Sequence, residues 1–260
     1  MTMESDLAYI DARALLEWQL ELGVTDAIEE NTINRYVTLQ NTENKIETPQ
    51  SKVKTNPNLL ISAIKTASDL ANAAKTLEEL RVNLQAYEYC DLKLGAKNLV
   101  FCDGDPQSKV MIVGDAPNRE EDMQGRPFVG TIGQLLDKMF SAIEYGRDHA
   151  KNSIYITNVI PWRPPQDREP YPEEVDLLLP FLIKHIDLIK PKVLVLMGNM
   201  ACMALIKQSG ITRIRGKWQE FSGIPVLPMF HPSYLLRTPS AKREAWNDLK
   251  MLQEKLEGFN

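Results

Sequence analysis

The sequence predicts an α/β fold: a three-layer α/β/α arrangement with a central, mainly parallel four-stranded sheet, preceded by a helical and flexible N-terminal extension. Beyond Asn98, short apolar segments recur, and each is followed by a segment of helical periodicity. The chain has 260 residues, of which 43% are hydrophobic and 25% charged, so it can bury a sizeable core. Strands that alternate with helices form parallel sheets covered on both faces.

The individual elements follow from these periodicities. Four short apolar runs predict strands at Val110–Val113, Ile154–Thr157, Val193–Met197 and Val226–Met229. The segments between and after them have the spacing of amphipathic helices, at Gly133–Ile143, Glu173–Ile189, Met200–Lys207 and Ala241–Leu256. The sequence shows no internal repeat.

The first 80 residues differ in charge from the rest. Residues 1–80 carry 7 Lys/Arg against 13 Asp/Glu, a net charge of −6, while residues 81–260 carry 23 against 22, a net charge of +1. The order predicted in this extension is a helix from Ser5 to Gly23, a polar linker over 31–58, and a second helical stretch from about Leu59, where compact packing is expected to begin. Thr76 and Glu79 have the spacing of a capping box. We therefore divide the chain into an acidic extension, 1–80, and a main α/β domain, 81–260.

Several protein classes are excluded by composition. No stretch approaches the roughly 20 apolar residues of a membrane span, and Met1–Leu20 lacks the basic start and apolar block of a secretion signal. The expected location is the cytoplasm. The three cysteines, Cys90, Cys102 and Cys202, include no CxxC pair, so neither a disulfide framework nor a metal site is expected.

Polar segments follow three of the predicted strands. Gly114–Asn118 and Gly125–Gly130 follow the first, Asn158 follows the second, and His231–Arg237 follows the fourth. Because ligands of parallel sheets bind at the carboxyl ends of the strands, these segments are the expected site. Taken singly, each has a structural explanation: an Asp as a helix cap, an Asn as a turn residue, or a Phe in the core.

Together these segments resemble the motifs of the uracil-DNA glycosylase superfamily, specifically its family 4, which usually carries an iron–sulfur cluster. The family pattern G-E-A-P-G-x-x-E-D corresponds to Gly114–Asp122, and G-R-P-F-V-G stands intact at Gly125–Gly130. Y-I-T-N stands at Tyr155–Asn158 and H-P-S-Y-L-L-R at His231–Arg237. The resemblance covers Tyr87 to Leu256. It implies that 81–260 is a catalytic domain with a uracil-DNA glycosylase-like fold.

The resemblance implies a DNA repair enzyme that flips uracil out of DNA and hydrolyses its N-glycosidic bond, leaving an abasic site for base excision repair. Asp115 and His231 would be catalytic: the carboxylate orients water and opposes positive charge on the sugar, and the imidazole stabilises negative charge on the departing base. Ala116, Phe128 and Asn158 would bind the base, Phe128 by stacking and Asn158 by pairing with its O4 and N3–H edge.

The resemblance also implies a surface for uracil-containing DNA, single- or double-stranded. Residues 211–243 carry six basic side chains against one acidic one, which favours phosphate contacts, although a charged run can also be a solvated face. Two leucines would form an apolar wedge that fills the gap left by the flipped base; alternatively, both begin a helix and face the core. The expected DNA-binding residues are Ser233, Leu235, Leu236, Arg237, Lys242 and Arg243.

Three features depart from the family pattern. The four cluster cysteines fall at Tyr87, Cys90, Trp162 and Leu178, so one thiolate remains and no iron–sulfur cluster or other cofactor is expected. The three replaced positions could pack together as an apolar substitute for the cluster. Asp115 stands where the family has Glu and Asn118 where it has Gly, which leaves open a shifted base range, such as hypoxanthine, or a slower reaction.

Two further hypotheses remain at this stage. A catalytically weak or inactive homologue would bind DNA without turnover. A mononucleotide-binding domain would use a post-strand loop for phosphate, but the chain has no GxGxxG or GxxxxGKS pattern to support it.

Overall fold

A computed structural model describes residues 57–259 of the chain. The α-helices are α1 (Pro57–Ala73), α2 (Leu77–Ala86), α3 (Leu92–Gly95), α4 (Arg119–Gln124), α5 (Gly130–Ser141), α6 (Pro172–Ile189), α7 (Asn199–Ile206), α8 (Ile211–Ile214), α9 (Pro232–Arg237) and α10 (Lys242–Glu257). Short 3-10 helices lie at Pro165–Asp167 and Pro239–Ala241. The strands are β1 (Asp103–Gly104), β2 (Val110–Gly114), β3 (Ile154–Asn158), β4 (Val193–Met197), β5 (Gln219–Phe221) and β6 (Ile224–Met229).

The sheet has six strands in the order β1-β3-β2-β4-β6-β5. The central four, β3, β2, β4 and β6, are parallel and are the four strands that the sequence predicts. The prediction of a four-stranded sheet is nevertheless wrong, because β1 and β5 add antiparallel edges. These edge strands have two and three residues, which is too short for an apolar run or an alternation to mark them in the sequence.

Two apolar cores lie on opposite faces of the sheet, as a three-layer fold requires. Alternate strand residues point to opposite faces, so Met111 and Val113 enter one core while Val110 and Ile112 enter the other. Helices α1, α2, α6 and α7 supply the first core, and α5, α9 and α10 the second. Because both faces are covered, every residue of β2, β3 and β4 is buried.

Compact packing begins earlier than the domain boundary predicted at residue 80. The described residues, 57–259, group as one compact unit, and α1 packs along α6 through Ala63, Ala67 and Ala71. The small alanine side chains let the two helices approach closely. Half of the predicted capping box forms: the Thr76 hydroxyl accepts a hydrogen bond from the Glu79 N–H at 3.2 Å, whereas the Glu79 carboxylate accepts from the Lys75 N–H and not from that of Thr76. Residues 57–80 therefore belong to the folded domain.

The helix predicted over 5–23 and nearly all of the linker predicted over 31–58 lie outside the described residues; the linker's last two positions already belong to α1. Among the described helices, none has the length and apolarity needed to cross a membrane.

Candidate active site

A cleft of about 880 Å³ opens at the carboxyl ends of the parallel strands. Asp115 and Ala116 line it just after β2, Gly198 just after β4, and His231 just after β6. These side chains are distant along the chain and meet because parallel strands place their carboxyl ends at one edge of the sheet. Arg237, on α9, also lines the cleft.

The Asp115 carboxylate is tied to the amino end of α7. Its Oδ1 accepts a hydrogen bond from the Ala201 N–H at 2.9 Å, and Gly198 leaves the space, because a Cβ at that glycine would overlap the carboxylate. Burial raises the pKa of Asp115 to about 6, although the N–H groups of Ala201 and Met200 oppose that rise. The group is therefore mostly ionised at pH 7, yet close enough to neutrality to accept a proton.

His231 is a neutral hydrogen-bond donor by its surroundings. It caps α9, and its Nδ1 accepts a hydrogen bond from the Ser233 N–H at 3.2 Å. This network assigns the ring proton to Nε2. Burial, with a smaller contribution from nearby Arg237, lowers the pKa of His231 to about 4. At pH 7 the imidazole is thus uncharged, with Nε2–H as its free donor.

Phe128 and Asn158 are not among the residues that line the cleft; both are almost fully buried, 1% and 5% exposed. Both meet at Gly114: a Cβ there would overlap the Asn158 amide oxygen and lie 2.6 Å from the Phe128 ring. The Phe128 ring is in turn 5.1 Å from the His231 ring, centroid to centroid. The structure therefore brings Asn158, Phe128 and His231 into one continuous group, with Asp115 directly after Gly114.

The Asn158 amide nitrogen is a buried donor without a hydrogen-bond partner among the described residues. An unpaired buried donor costs roughly 1–3 kcal/mol, so native proteins rarely keep one without a reason. A carbonyl oxygen of a bound base would satisfy this donor.

The backbone of Phe128 is held from both sides. Its φ of 51° is left-handed, which is unfavourable for a bulky residue. The Glu121 carboxylate accepts a hydrogen bond from the Phe128 N–H, and Arg147 donates to its carbonyl oxygen at 2.5 Å. Arg147 also donates to the Pro127 carbonyl and pairs with Asp103. These contacts offset the strain and fix the direction of the aromatic ring.

We expect Arg147→Lys to lower kcat/KM on uracil DNA by about tenfold, because an ammonium group cannot reproduce the guanidinium's several directed hydrogen bonds. The matched control is Arg126→Lys, which shares the Asp103 partner but is largely exposed and, among the described residues, donates no hydrogen bond to Phe128. Initial rates of base release check this prediction. Equal losses in both variants would show that the ion pairs with Asp103 affect the rate and that the hydrogen bond from Arg147 to the Phe128 carbonyl does not.

The predicted DNA-binding residues divide into two groups. Leu235 is 1% exposed and lies in the second core, so the prediction that it is an exposed wedge is wrong: α9 begins at Pro232 and turns this side chain inward. Leu236 is 42% exposed, and Arg237, Lys242 and Arg243 are also exposed. The hydroxyl of Ser233 lies 2.7 Å from His231 Nδ1, so this residue helps to orient the imidazole.

Asn118 caps α4 rather than extending freely into the cleft. Its amide oxygen accepts hydrogen bonds from the N–H groups of Glu120 and Glu121, at 2.8 and 3.0 Å. The residue lines the cleft, but its amide oxygen is already engaged by the helix. Replacing the family's Gly by Asn at this position therefore strengthens the start of a helix.

The four positions of the family's cluster cysteines do not fit an iron–sulfur cluster. Tyr87, Cys90, Trp162 and Leu178 are each at most 3% exposed and belong to one apolar core. Burial raises the pKa of the Cys90 thiol to about 12, whereas a metal ligand must be a thiolate. Within residues 57–259, no group of three or more Cys, His, Asp or Glu could hold a metal ion.

A family model described as the uracil DNA glycosylase superfamily matches residues 101–250, more than half of the chain. The chain belongs to this superfamily. It is 32% identical to the type-4 uracil-DNA glycosylase of Archaeoglobus fulgidus over 189 residues, 69% of this chain and 93% of that protein. It is 34% identical to that of Sulfurisphaera tokodaii over 188 residues, 69% and 84%, and 39% identical to that of Thermotoga maritima over 154 residues, 58% and 78%.

Within this superfamily fold, sequence reasoning missed the residues that hold the site in place. Glu121 stands in a quoted motif, but its two backbone contacts depend on how the loop folds back. Gly114 could have been identified from the sequence, because a glycine in a strand often marks a place where other groups approach the backbone closely. Nothing in the sequence identified Arg147 or Gly198, because the residues that they contact, Phe128 and Asp115, are 19 and 83 positions away.

Proposed function

We propose that this chain is a uracil-DNA glycosylase that flips uracil out of DNA and hydrolyses its N-glycosidic bond, leaving an abasic site. The observation that carries the proposal is the unpartnered Asn158 amide donor, which is buried with Phe128 against Gly114, the residue before Asp115 of the cleft. The membership of the superfamily and the similarity to three type-4 uracil-DNA glycosylases support it.

Base recognition falls to Asn158 and Phe128. The amide nitrogen donates to O4 of uracil, and the amide oxygen accepts from N3–H, a pairing that cytosine reverses. The amide oxygen lies against Gly114, at a position where any side chain would overlap it. The Phe128 ring, fixed by Glu121 and Arg147, supplies the stacking surface.

His231 stabilises the departing base. As the glycosidic bond breaks, negative charge builds on the base, and the neutral imidazole donates from Nε2 to its O2. The hydrogen bond from the Ser233 N–H keeps the proton on Nε2 throughout. The imidazole acts as an oriented donor and does not need to carry a charge.

Asp115 acts on the sugar side. Its carboxylate opposes the positive charge that develops on the deoxyribose and accepts a hydrogen bond from the attacking water. The amino end of α7 holds this carboxylate in place through the Ala201 N–H.

A direct assay tests the proposal. An oligonucleotide with one uracil is incubated with the protein, abasic sites are cleaved with alkali, and the strand scission is compared with that of Asn158→Ala. Scission by the wild-type protein and its loss in the variant are expected. Tight binding of uracil DNA without scission would instead identify a binding-only homologue, and faster release of hypoxanthine than of uracil would identify a shifted base range.

We further propose that the protein folds and acts without an iron–sulfur cluster, in the cytoplasm. Apolar burial of Tyr87, Trp162 and Leu178 supports the first statement. The expected result is a colourless protein with no stoichiometric iron after reconstitution with iron and sulfide, measured by absorbance and iron analysis.

Leu178→Ala is expected to lower the free energy of unfolding by about 2–5 kcal/mol, because it leaves a cavity in that core. A brown protein with bound iron would overturn the proposal.

A further inference from the structure

The outer face of α10 combines basic residues with one exposed tryptophan. Lys242, Arg243, Trp246 and Lys250 are all exposed, and Trp246 is 42% exposed. At 3.6 residues per turn they fall within an arc of about 100°. We call these four residues the α10 face. The opposite side of the helix, with Ala245, is buried in the second core.

These groups have no role in the folded domain that the structure shows. Among the ion pairs of residues 57–259, none includes Lys242, Arg243 or Lys250. The two acids nearest to them, Glu244 and Asp248, are instead paired with Arg215. The Trp246 ring likewise makes no aromatic or cation–π contact within the described part of the chain.

Two of these cations are placed unfavourably for the helix. Lys242 and Arg243 stand in the first turn of α10, where the positive end of the helix dipole repels them. Glu254, one turn beyond Lys250, ends the basic part of the face. The basic residues of this face are thus confined to 242–250, and the first two do not stabilise the helix.

The α10 face follows the cleft residue Arg237 along the chain, since Lys242 begins α10 five positions further on. Both α9, which begins beside His231, and α10 pack on the 3-10 helix Pro239–Ala241 that joins them. Arg237, at the end of α9, lines the cleft itself. A strand whose flipped nucleotide lies near His231 can therefore continue past Arg237 onto α10.

We propose that the α10 face binds the DNA strand next to the flipped nucleotide, with the three cations on phosphates and one base stacked on Trp246. Exposed aromatic rings between basic residues are typical of surfaces that bind single strands without sequence preference. The inference rests on the proposed function and adds to it a preference for unpaired DNA beside the uracil.

Binding to a uracil-free single strand of about 16 nucleotides tests this surface separately from catalysis. We expect Trp246→Ala to weaken binding about tenfold and Trp246→Phe to retain most of it, since a ring is kept. Lys242→Ala/Arg243→Ala should lower the slope of log affinity against log salt by about 1.4, the value for two phosphates on a single strand. The free energy of unfolding of this double variant should be unchanged or higher, because two cations leave a helix amino end.

The matched control is Lys151→Ala/Lys192→Ala, which removes the same charge at exposed positions preceding β3 and β4, at the opposite end of the sheet. It should leave binding and salt slope close to wild type. Equal effects in both double variants would show that binding depends on the net charge of the protein and not on the α10 face, and would overturn the proposal.

Base release from uracil strands of two lengths separates the two proposals. On strands of about 16 nucleotides the α10 variants should lose kcat/KM, while on strands of about four nucleotides they should match wild type. A wild-type protein without base release but with α10-dependent binding would overturn the proposed function and leave this inference standing. An active wild type with unaltered α10 variants would overturn the inference alone.

Discussion

Asp115→Asn is expected to lower kcat on uracil DNA by about 100- to 1000-fold while making the folded protein more stable at pH 8. The rate falls because the amide carries no charge to oppose the developing cation on the sugar and cannot take a proton. The stability rises because the buried charge is removed from the cleft, while the amide oxygen can still accept from the Ala201 N–H.

The pH dependence has a defined sign. Burial raises the pKa of Asp115 from 3.8 to about 6, so the folded state holds this proton more tightly than the unfolded state does. The stability that this group contributes is therefore present below pH 3.8 and is lost as the pH rises to about 6. Activity follows the opposite course: kcat should fall as the pH drops through about 6. Single-turnover rates from about pH 5 to 9 measure the activity, and denaturant unfolding from about pH 3.5 to 8 measures the stability.

Asp248→Asn is the matched control, because burial also raises the pKa of this carboxyl to about 6, but its partner is Arg215 and neither residue lines the cleft. This variant should be destabilised by about 3–5 kcal/mol, as expected when a buried ion pair loses one partner. In this variant kcat should still fall as the pH drops through about 6, as in the wild-type protein. An acid limb that persists in Asp115→Asn would assign the titration to another group.

His231→Ala is expected to lower kcat by about 100- to 1000-fold, with KM changed much less, because the Nε2 donor acts mainly on charge that forms in the transition state. The low pKa of this imidazole, about 4, means that its protonation makes no contribution to the pH profile above pH 5. A second acid limb in that range would contradict the neutral-donor role.

Two companion variants sharpen the test of His231. Ser233→Ala removes the hydroxyl beside Nδ1 but keeps the backbone N–H, so a loss of about tenfold is expected. His149→Ala changes an exposed histidine on the loop before β3 and should leave kcat unchanged. A base chemically modified to leave more easily should rescue His231→Ala but not Asp115→Asn, since only the imidazole acts on the leaving group.

The sequence by itself determined the four central strands, because each is a short apolar run followed by a helix of distinct period. It also located Asp115, His231 and Asn158 at strand ends, since the carboxyl edge of a parallel sheet is fixed by chain direction. The edge strands were not predictable, since strands of two and three residues carry no period.

Only the tertiary structure decided what these residues do at the site. The neutrality of His231 and the raised pKa of Asp115 arise from burial by segments remote in sequence. Leu235 and Leu236 are neighbours of one chemical type, yet helix α9 turns one into the core and the other to solvent. The sequence places certain polar residues at the ends of parallel strands. Their desolvation, their hydrogen-bond partners and the direction of the backbone depend on atoms that only folding brings together.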